Sequence, residues 1–345
     1  MNTRVLVKHG TEPGGLELEE REIPPLASDE VLVRIERAAI CGTDLHLYTW
    51  NAWAAGRYAL PVPLGHEFVG EVVEIGQDVK TVMTGQRVVA ETHIACGRCR
   101  QCRHNRRHTC LDLRLFSKLG RGCFADFTVV PETVLRRVPA AIPLEHACVM
   151  EPLGIAVRAA VHAEVRGGVL LVVGCGPLGL FSIGAAKALG AVRVLASDIS
   201  EFRLDLAGRV GADVVIDGRQ AALREAVSTA TNGEMTDAAI DTSGNPSAIA
   251  QALASVSPGG RLLVLALPDA PVALDLSGQV VLREITIQGL YGRLIDETWL
   301  QVERLLLARR LPLDAVLTHT FRLHDYREAF RSAAGGDAGK VMLAP

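Results

Sequence analysis

The sequence predicts an α/β protein in two unlike parts, a β-rich, barrel-like domain and a doubly wound parallel sheet of six strands. Three observations carry that expectation. Short alternating strand patterns follow one another closely through the first 150 residues. A continuous apolar run, Val169-Leu-Leu-Val-Val173, then enters a glycine triplet and an apolar helix. Beyond it, strand and helix patterns alternate as far as Gln288. At 345 residues the chain is long enough for two ordinary domains, and 49% hydrophobic against 22% charged residues supplies their cores.

In the first part, Val31-Leu-Val-Arg-Ile35 alternates apolar and polar positions, and 68–75 and 87–90 are further strand candidates. Turns are marked by Glu12-Pro-Gly-Gly15, Pro24-Pro25, Gly76-Gln-Asp78 and Thr84-Gly-Gln86. Cys41 stands before a short expected helix carrying Thr43, Asp44 and His46, and Gly65-His66-Glu67 follows. A thiolate, an imidazole and a carboxylate brought together suit a catalytic zinc, which takes about three protein ligands and leaves one position open. Cys41 and His66 are the candidate ligands, with Glu67 or a later carboxylate as the third. Taken singly, each residue is more commonly a buried structural cysteine or a loop histidine.

Cys96-Gly-Arg-Cys99-Arg-Gln-Cys102, seven more residues and Cys110 have the spacing of a closed, tetrahedral zinc site. Iron–sulfur proteins use similar gaps, so spacing alone leaves that alternative open. Arg98, Arg100, Arg103, Arg106 and Arg107 lie around the four thiolates. The expected role is to hold an exposed lobe in shape, without chemistry.

In the second part, Gly174-Cys-Gly176-Pro-Leu-Gly179 links the apolar strand to a helix at 180–189. The next strand, 192–196, ends near Asp198, nineteen positions beyond Gly179. This is the dinucleotide-binding order: one glycine for the turn, one for backbone approach to pyrophosphate, one for helix–strand packing. Further strands are expected at 213–216, 237–240, 260–265 and 285–288, with helices at 201–210, 219–231 and 246–256. After Tyr291-Gly-Arg293 the pattern gives a helix at 297–308, a short strand near Val316 and a helix around 325–334.

Composition excludes several classes. A formal net charge of −3 with no run of like charges argues against a nucleic-acid or anionic-membrane binder. No window of eighteen residues is apolar throughout, and no secretory signal pattern is present, so no membrane span is expected. Eight cysteines, four of them between 96 and 110, read as metal binding in a cytosolic protein rather than as disulfides.

The whole order resembles the zinc-dependent medium-chain alcohol dehydrogenases, and within them the branch that acts on L-threonine. The closer match lies in Cys41-Gly-Thr-Asp-Leu-His-Leu-Tyr-Thr-Trp50 with Trp53, Gly65-His-Glu-Phe-Val-Gly-Glu71 and Thr92-His-Ile-Ala-Cys96. Gly122-Cys-Phe-Ala-Asp126, Gly289-Leu-Tyr-Gly-Arg293, Glu297-Thr-Trp299 and Thr318-His-Thr-Phe321 extend it over nearly the whole chain. The resemblance implies a GroES-like β-barrel catalytic domain at 1–154, with 297–345 returning to it, and a Rossmann NAD-binding domain at 155–296. It implies two zinc ions per chain: one catalytic, on Cys41, His66 and Glu67, and one structural, on Cys96, Cys99, Cys102 and Cys110. Thr43 and His46 would relay the alcohol proton, and Glu151 would lie close to the metal. Gly174, Gly176, Leu178, Gly179, Asp198, Arg203, Leu265, Ala266, Leu267, Leu290 and Tyr291 would contact NAD, and His93 and Arg293 the substrate. The implied reaction is oxidation of a secondary alcohol to a ketone by proton loss and hydride transfer, with L-threonine as the substrate in a cytoplasmic homotetramer.

Three positions depart from the pattern: Ile155 and Arg158 stand where the threonine branch has asparagine and histidine, and Ala266 stands for a glycine. Arg158 is expected on a solvated or cofactor-facing helix position. The rival readings are a polyol or vicinal-diol dehydrogenase and, in another class, a non-catalytic NAD-binding sensor or structural protein. The first rival is distinguished by the absence of groups to pair with an amino acid's charged ends, the second by loss of a ligand or relay residue.

Overall fold

In a computed structural model, residues 1–345 are described apart from Ala221 and Asp269, with Ser117 described by its backbone only. The chain divides into two compact units. One comprises Met1–Glu151, Leu317–Gly335 and Lys340–Pro345; the other comprises Pro152–Val316 and Gly336–Gly339.

The first unit is mainly antiparallel. Its central strand, Glu30–Ala39, pairs with Glu67–Ile75, Phe127–Pro131 and Lys340–Ala344. The register against Glu67–Ile75 slips between Leu32 and Val33 and again between Ile35 and Arg37. Such irregularities bend a strand and help a sheet curl. Val31, Leu32, Val33 and Ile35 are buried and Arg34 faces solvent, so the alternation holds only around Arg34. A second, three-stranded sheet joins Leu16–Glu22, Asn2–Lys8 and Val62–Pro63.

The second unit is a six-stranded parallel sheet. Its spatial order is Val214–Asp217, Arg193–Asp198, Val169–Val173, Thr236–Asp241, Val256–Val264 and Thr286–Gly289. Chain order reverses between Val169–Val173 and Thr236–Asp241, the position where such sheets open a crevice for nucleotides. Leu171, Leu195, Ala239 and Leu262 from four strands pack with Val227, Ile249 and Leu253 from two helices. Burial on both faces explains why these strands read as continuous apolar runs.

Several boundaries differ from the sequence reading. The return to the first unit begins at Leu317, not at 297. The helix Ile295–Leu307 stays in the second unit because Thr298 and Arg293 pack on Gly154, where an added Cβ would meet Arg293 Cδ at 2.4 Å. Gly154 itself therefore belongs to the second unit. The strand expected from residue 260 begins at Val256, since Pro258, Gly259 and Gly260 form an irregularity inside it: Thr236 pairs with Val256, but Ala238 pairs with Arg261. The helix expected at 219–231 is Leu223–Ala230, and Ala221 of that stretch lies outside the described residues. Among the described residues no helix is long and apolar enough to cross a membrane.

Candidate functional site

The four-cysteine segment folds into one small lobe. Cys99 caps the short helix Arg100–Arg103, and Cys110 follows the turn Arg107–Thr109. All four sulfurs lie within 4.8 Å of one another, with Cys99 Sγ 3.5 Å from Cys102 Sγ and 3.8 Å from Cys110 Sγ. Sulfurs at the corners of a tetrahedron around zinc, about 2.3 Å from it, would be about 3.8 Å apart. The N–H groups of Arg98 and Cys99 face Cys96, and those of Leu111 and Cys102 face Cys99, holding both thiols below their ordinary pKa. The N–H groups of Cys96 and Asp112 point at Cys110 Sγ, at 3.3 and 3.4 Å. All four cysteines are free. A cluster of thiols surrounded by backbone donors fits a structural zinc.

The second set gathers residues far apart in the chain. Cys41 precedes the helix Gly42–Thr49, while His66 and Glu67 lead into the strand Glu67–Ile75. One ligand atom from each lies within 4.8 Å of the others. Asp44 joins the two segments. Its Oδ2 accepts the Cys41 N–H at 2.9 Å, its Oδ1 accepts the Gly65 N–H at 3.2 Å, and Oδ1 lies 3.7 Å from His66 Nδ1. Burial alone would lower the His66 imidazole, but the Asp44 and Cys41 charges outweigh it and raise it to about 10. A pocket that holds a proton so firmly favours a cation there, and zinc is the cation this donor set suits.

Glu67 is fully buried, which raises its carboxyl above the ordinary range. Its ion partner is Lys340, also buried, from the strand Lys340–Ala344. Lys340 meets Oε2, while Oε1 has no hydrogen-bond partner among the described residues and remains available to a metal. Glu151 acts on the charges of both His66 and Glu67, and its Oε1 accepts the Thr92 hydroxyl at 2.5 Å. The structure therefore brings Cys41, His66, Glu67 and Glu151 into one neighbourhood.

Thr43 and His46 lie on the Gly42–Thr49 helix, which Lys8 fastens from below. The buried Lys8 ammonium donates to the carbonyls of Glu12, Gly14 and Tyr48, at 2.5, 2.6 and 3.2 Å. His46 packs its ring 5.4 Å from that of Trp53, and burial lowers its pKa. Its Nδ1 is 2.7 Å from Asn51 Nδ2. Asn51 Oδ1 is already used, accepting the Ala54 N–H at 3.1 Å, so the amide nitrogen is the group facing the ring. Neutral His46 thus accepts at Nδ1 and carries its proton on Nε2.

His93 begins the two-residue strand His93–Ile94, paired with Arg114–Leu115. Glu91 Oε1 accepts from both its ring Nδ1, at 2.8 Å, and its backbone N–H, at 3.0 Å. The sequence reading gave no site role to Asp44, Glu91, Thr92 or Lys340. Asp44 sits three residues after Cys41, where a carboxylate caps a helix, and that signal was present. Lys340 gives none, because only the fold carries it to Glu67.

In the second unit, Gly174 has φ +90°, and a Cβ there would meet Ser243 N at 2.8 Å. A Cβ on Gly179 would strike Gly174 O at 1.9 Å, which is the close helix–strand packing the triplet provides. At Gly176, the N-cap of helix Pro177–Ala188, an added Cβ meets nothing within 4 Å. This open backbone beside Leu178 fits a pyrophosphate. Asp198 ends the strand Arg193–Asp198, its oxygens accepting the Cys175 N–H at 2.6 Å and the Ser200 N–H at 2.8 Å. A carboxylate has about four acceptor sites, so capacity for ribose hydroxyls remains. Arg203 Nε is buried with no hydrogen-bond partner among the described residues. Leu265 and Ala266 are half-buried and Leu267 exposed, directly after the strand Val256–Val264. Leu290 is buried and Tyr291 exposed, directly after Thr286–Gly289. Arg293 is buried, its guanidinium 5.9 Å from the centre of the Trp299 ring. Arg158 is not solvated: it is buried and donates to the carbonyls of Tyr291 and Gly292 at 2.9 and 3.1 Å.

Comparison with known proteins agrees with this architecture. Residues 27–140 match the alcohol dehydrogenase GroES-like domain, and residues 177–308 match the zinc-binding dehydrogenase domain. An L-threonine 3-dehydrogenase of Bacillus licheniformis is 40% identical, the alignment covering 100% of this chain and 99% of that protein. The solved alcohol dehydrogenase of Thermus sp. ATN1 is 29% identical, with a TM-score of 0.90 and 99% of each chain covered. An alcohol dehydrogenase from E. coli, solved with NADH, is 27% identical with a TM-score of 0.90, covering 100% of this chain and 99% of that one. Two donor sets suited to zinc and a parallel sheet shaped for a dinucleotide thus meet a full-length likeness, and the chain belongs to the zinc-dependent medium-chain alcohol dehydrogenases, with NAD and zinc as its cofactors.

Proposed function

We propose that the protein oxidises L-threonine at its β-hydroxyl, yielding 2-amino-3-oxobutanoate, with NAD⁺. The observation that carries this reading is the hydrogen bond from Thr92 to Glu151, which ties the segment bearing His93 to the metal-ligating neighbourhood. On this reading the Glu151 carboxylate takes the ammonium and the His93 imidazole the carboxylate of an amino acid. A charged end left unpaired in such a pocket would cost several kcal/mol. The name of the full-length relative supports the same substrate.

Zinc on Cys41, His66 and Glu67 supplies Lewis acidity toward the substrate hydroxyl, and NAD⁺ supplies the hydride acceptor. Asp44 fixes the spacing of Cys41 and His66, and Lys340 balances Glu67. Thr43 and His46 carry the hydroxyl proton outward. His46 takes it up at Nδ1 only when Asn51 turns aside, since that amide donates to the same atom. Of the two groups considered for the carboxylate, His93 is the one in the same unit as the metal set, while Arg293 is packed on Gly154 in the other.

Steady-state comparison of L-threonine, D-threonine, L-serine, 2,3-butanediol and sorbitol with NAD⁺ tests the assignment. L-threonine is expected to have the highest kcat/KM. A diol or polyol ahead by more than about tenfold overturns it. Ile155, in place of an asparagine, favours a less charged alcohol, which is why the diol belongs in the panel. NAD⁺ is expected to be preferred to NADP⁺, because Asp198 would repel a 2′-phosphate.

The assembly proposed is a homotetramer. Among the described residues the strand Thr286–Gly289 is paired on one side only, and Val281 and Leu282 near it are 72% and 83% exposed. A second copy would cover such an edge; sedimentation as a monomer at micromolar concentration opposes this. Eight free cysteines suit a reducing cytosol.

A further inference from the structure

We propose that Glu91 is the specificity-determining partner of His93, the two forming a dyad that receives the carboxylate of the substrate. The inference rests on the amino-acid reading of the site given above.

Glu91 is 1% exposed and His93 7% exposed, so neither is a surface residue in contact by chance. One carboxylate oxygen, Oε1, takes both the ring Nδ1 and the backbone N–H of His93. That double contact fixes the ring orientation and places a proton on Nδ1, leaving Nε2 as the working atom. The backbone around the pair is tied down as well. Glu91 N–H donates to Val134 O at 2.8 Å, and Phe116 N–H donates to Thr92 O at 3.0 Å. The residue between the two, Thr92, is bonded to Glu151. The dyad therefore cannot shift without moving a group beside the metal set.

The chemistry that follows is specific. A ring that donates through Nδ1 to one carboxylate and through Nε2 to another makes two charge-assisted hydrogen bonds, and Glu91 is the first of those two partners. A second carboxylate, the substrate's, is the partner such a donor selects. A diol offers only hydroxyls and gains little from the charge. Glu91 thus acts on substrate choice through His93, without touching the reacting atoms.

The test is a set of four proteins, wild type, Glu91→Gln, His93→Gln and the double variant, assayed on L-threonine and 2,3-butanediol with saturating NAD⁺, with zinc content measured for each. Glu91→Gln keeps an acceptor oxygen and loses the charge. It is expected to raise KM for L-threonine by about tenfold with kcat changed less than about threefold, and to leave the diol constants within about twofold. The double variant is expected to be no worse on threonine than His93→Gln, because both changes remove one function. If Glu91→Gln slows both substrates alike while zinc stays at the wild-type level, or if the two losses add, the inference is wrong. Should Glu91→Gln fail to fold with zinc, Glu91→Asp, one methylene short of Nδ1, carries the test. It must show the same threonine-selective rise, and constants equal to wild type overturn the dyad. A wild type that prefers the diol sinks the threonine reading and the dyad together. A wild type that prefers threonine, with an indifferent Glu91→Gln, sinks the dyad alone.

Discussion

The four-cysteine lobe and the Cys41/His66/Glu67 set lie in the same structural unit yet are built by opposite means. The lobe draws every ligand from one segment, 96–110, and its thiols are met by sulfurs and backbone N–H groups of that segment and of Leu111 and Asp112 just beyond it. The other set is assembled from the start of a helix and the start of a strand, linked by Asp44 and charge-balanced by Lys340 from a third stretch of chain. A closed metal site needs little beyond its ligands. A reactive one keeps charged groups buried, and each then needs a partner to hold it ready.

Substitutions can break that contrast. The largest effect is expected from Cys41→Ser: kcat/KM falls by about a thousandfold or more, zinc falls from two to one per chain, and the circular dichroism spectrum is retained. Cys102→Ser should do the converse. Its zinc is lost and the melting temperature drops by roughly 5–10 °C, while the protein that stays folded keeps turning over. Equal loss of activity from both would erase the distinction between the sites. Elemental analysis that finds iron with visible absorbance would overturn zinc in the lobe.

Lys340→Met probes the charge support. It strands Glu67 in an apolar interior, so zinc-stripped protein should lose about 3 kcal/mol in denaturant unfolding. Zinc-loaded protein should lose clearly less, since the metal can balance the same carboxylate. Identical losses with and without zinc would mean that Lys340 is not part of the metal site's electrostatics. The smallest effect is that of Asn51→Ala. Burial and a facing amide donor both oppose a proton on His46 Nδ1, so the neutral form persists to lower pH than for an ordinary histidine. Removing the donor lets the pKa rise, and the acid limb of the kcat/KM profile should move up by up to about one pH unit. An unmoved limb would take His46 out of the relay.

The same contrast explains what could be read in advance. The lobe and the glycine triplet are local patterns, and each folds largely within the residues that announce it. Cys41, His66 and Glu67 were legible as a combination of ligand types, and Glu151 only through family likeness. Lys340 was not, since nothing near it in sequence speaks of a metal and only strand pairing brings it to Glu67. Arg158 was expected on a solvated or cofactor-facing helix position, and of these the structure removes the solvated one. The carbonyls of Tyr291 and Gly292, which bury it, lie across the fold. The strand Val256–Val264 was shortened because Pro258 and Gly259 signal a turn equally well when they sit inside a strand.

The central strand Glu30–Ala39 is made early, but one of its partners, Lys340–Ala344, leaves the ribosome long after it. The whole six-stranded unit is synthesised in between. During that interval the end of the strand at Ala38 and Ala39 lacks its partner on that side, and the carboxylate of Glu67 has no Lys340 ammonium beside it. The nucleotide-binding unit can fold as it emerges, whereas the metal-binding unit waits. Aggregation during expression, and rescue by chaperones or slower synthesis, should therefore track the first unit and not the second.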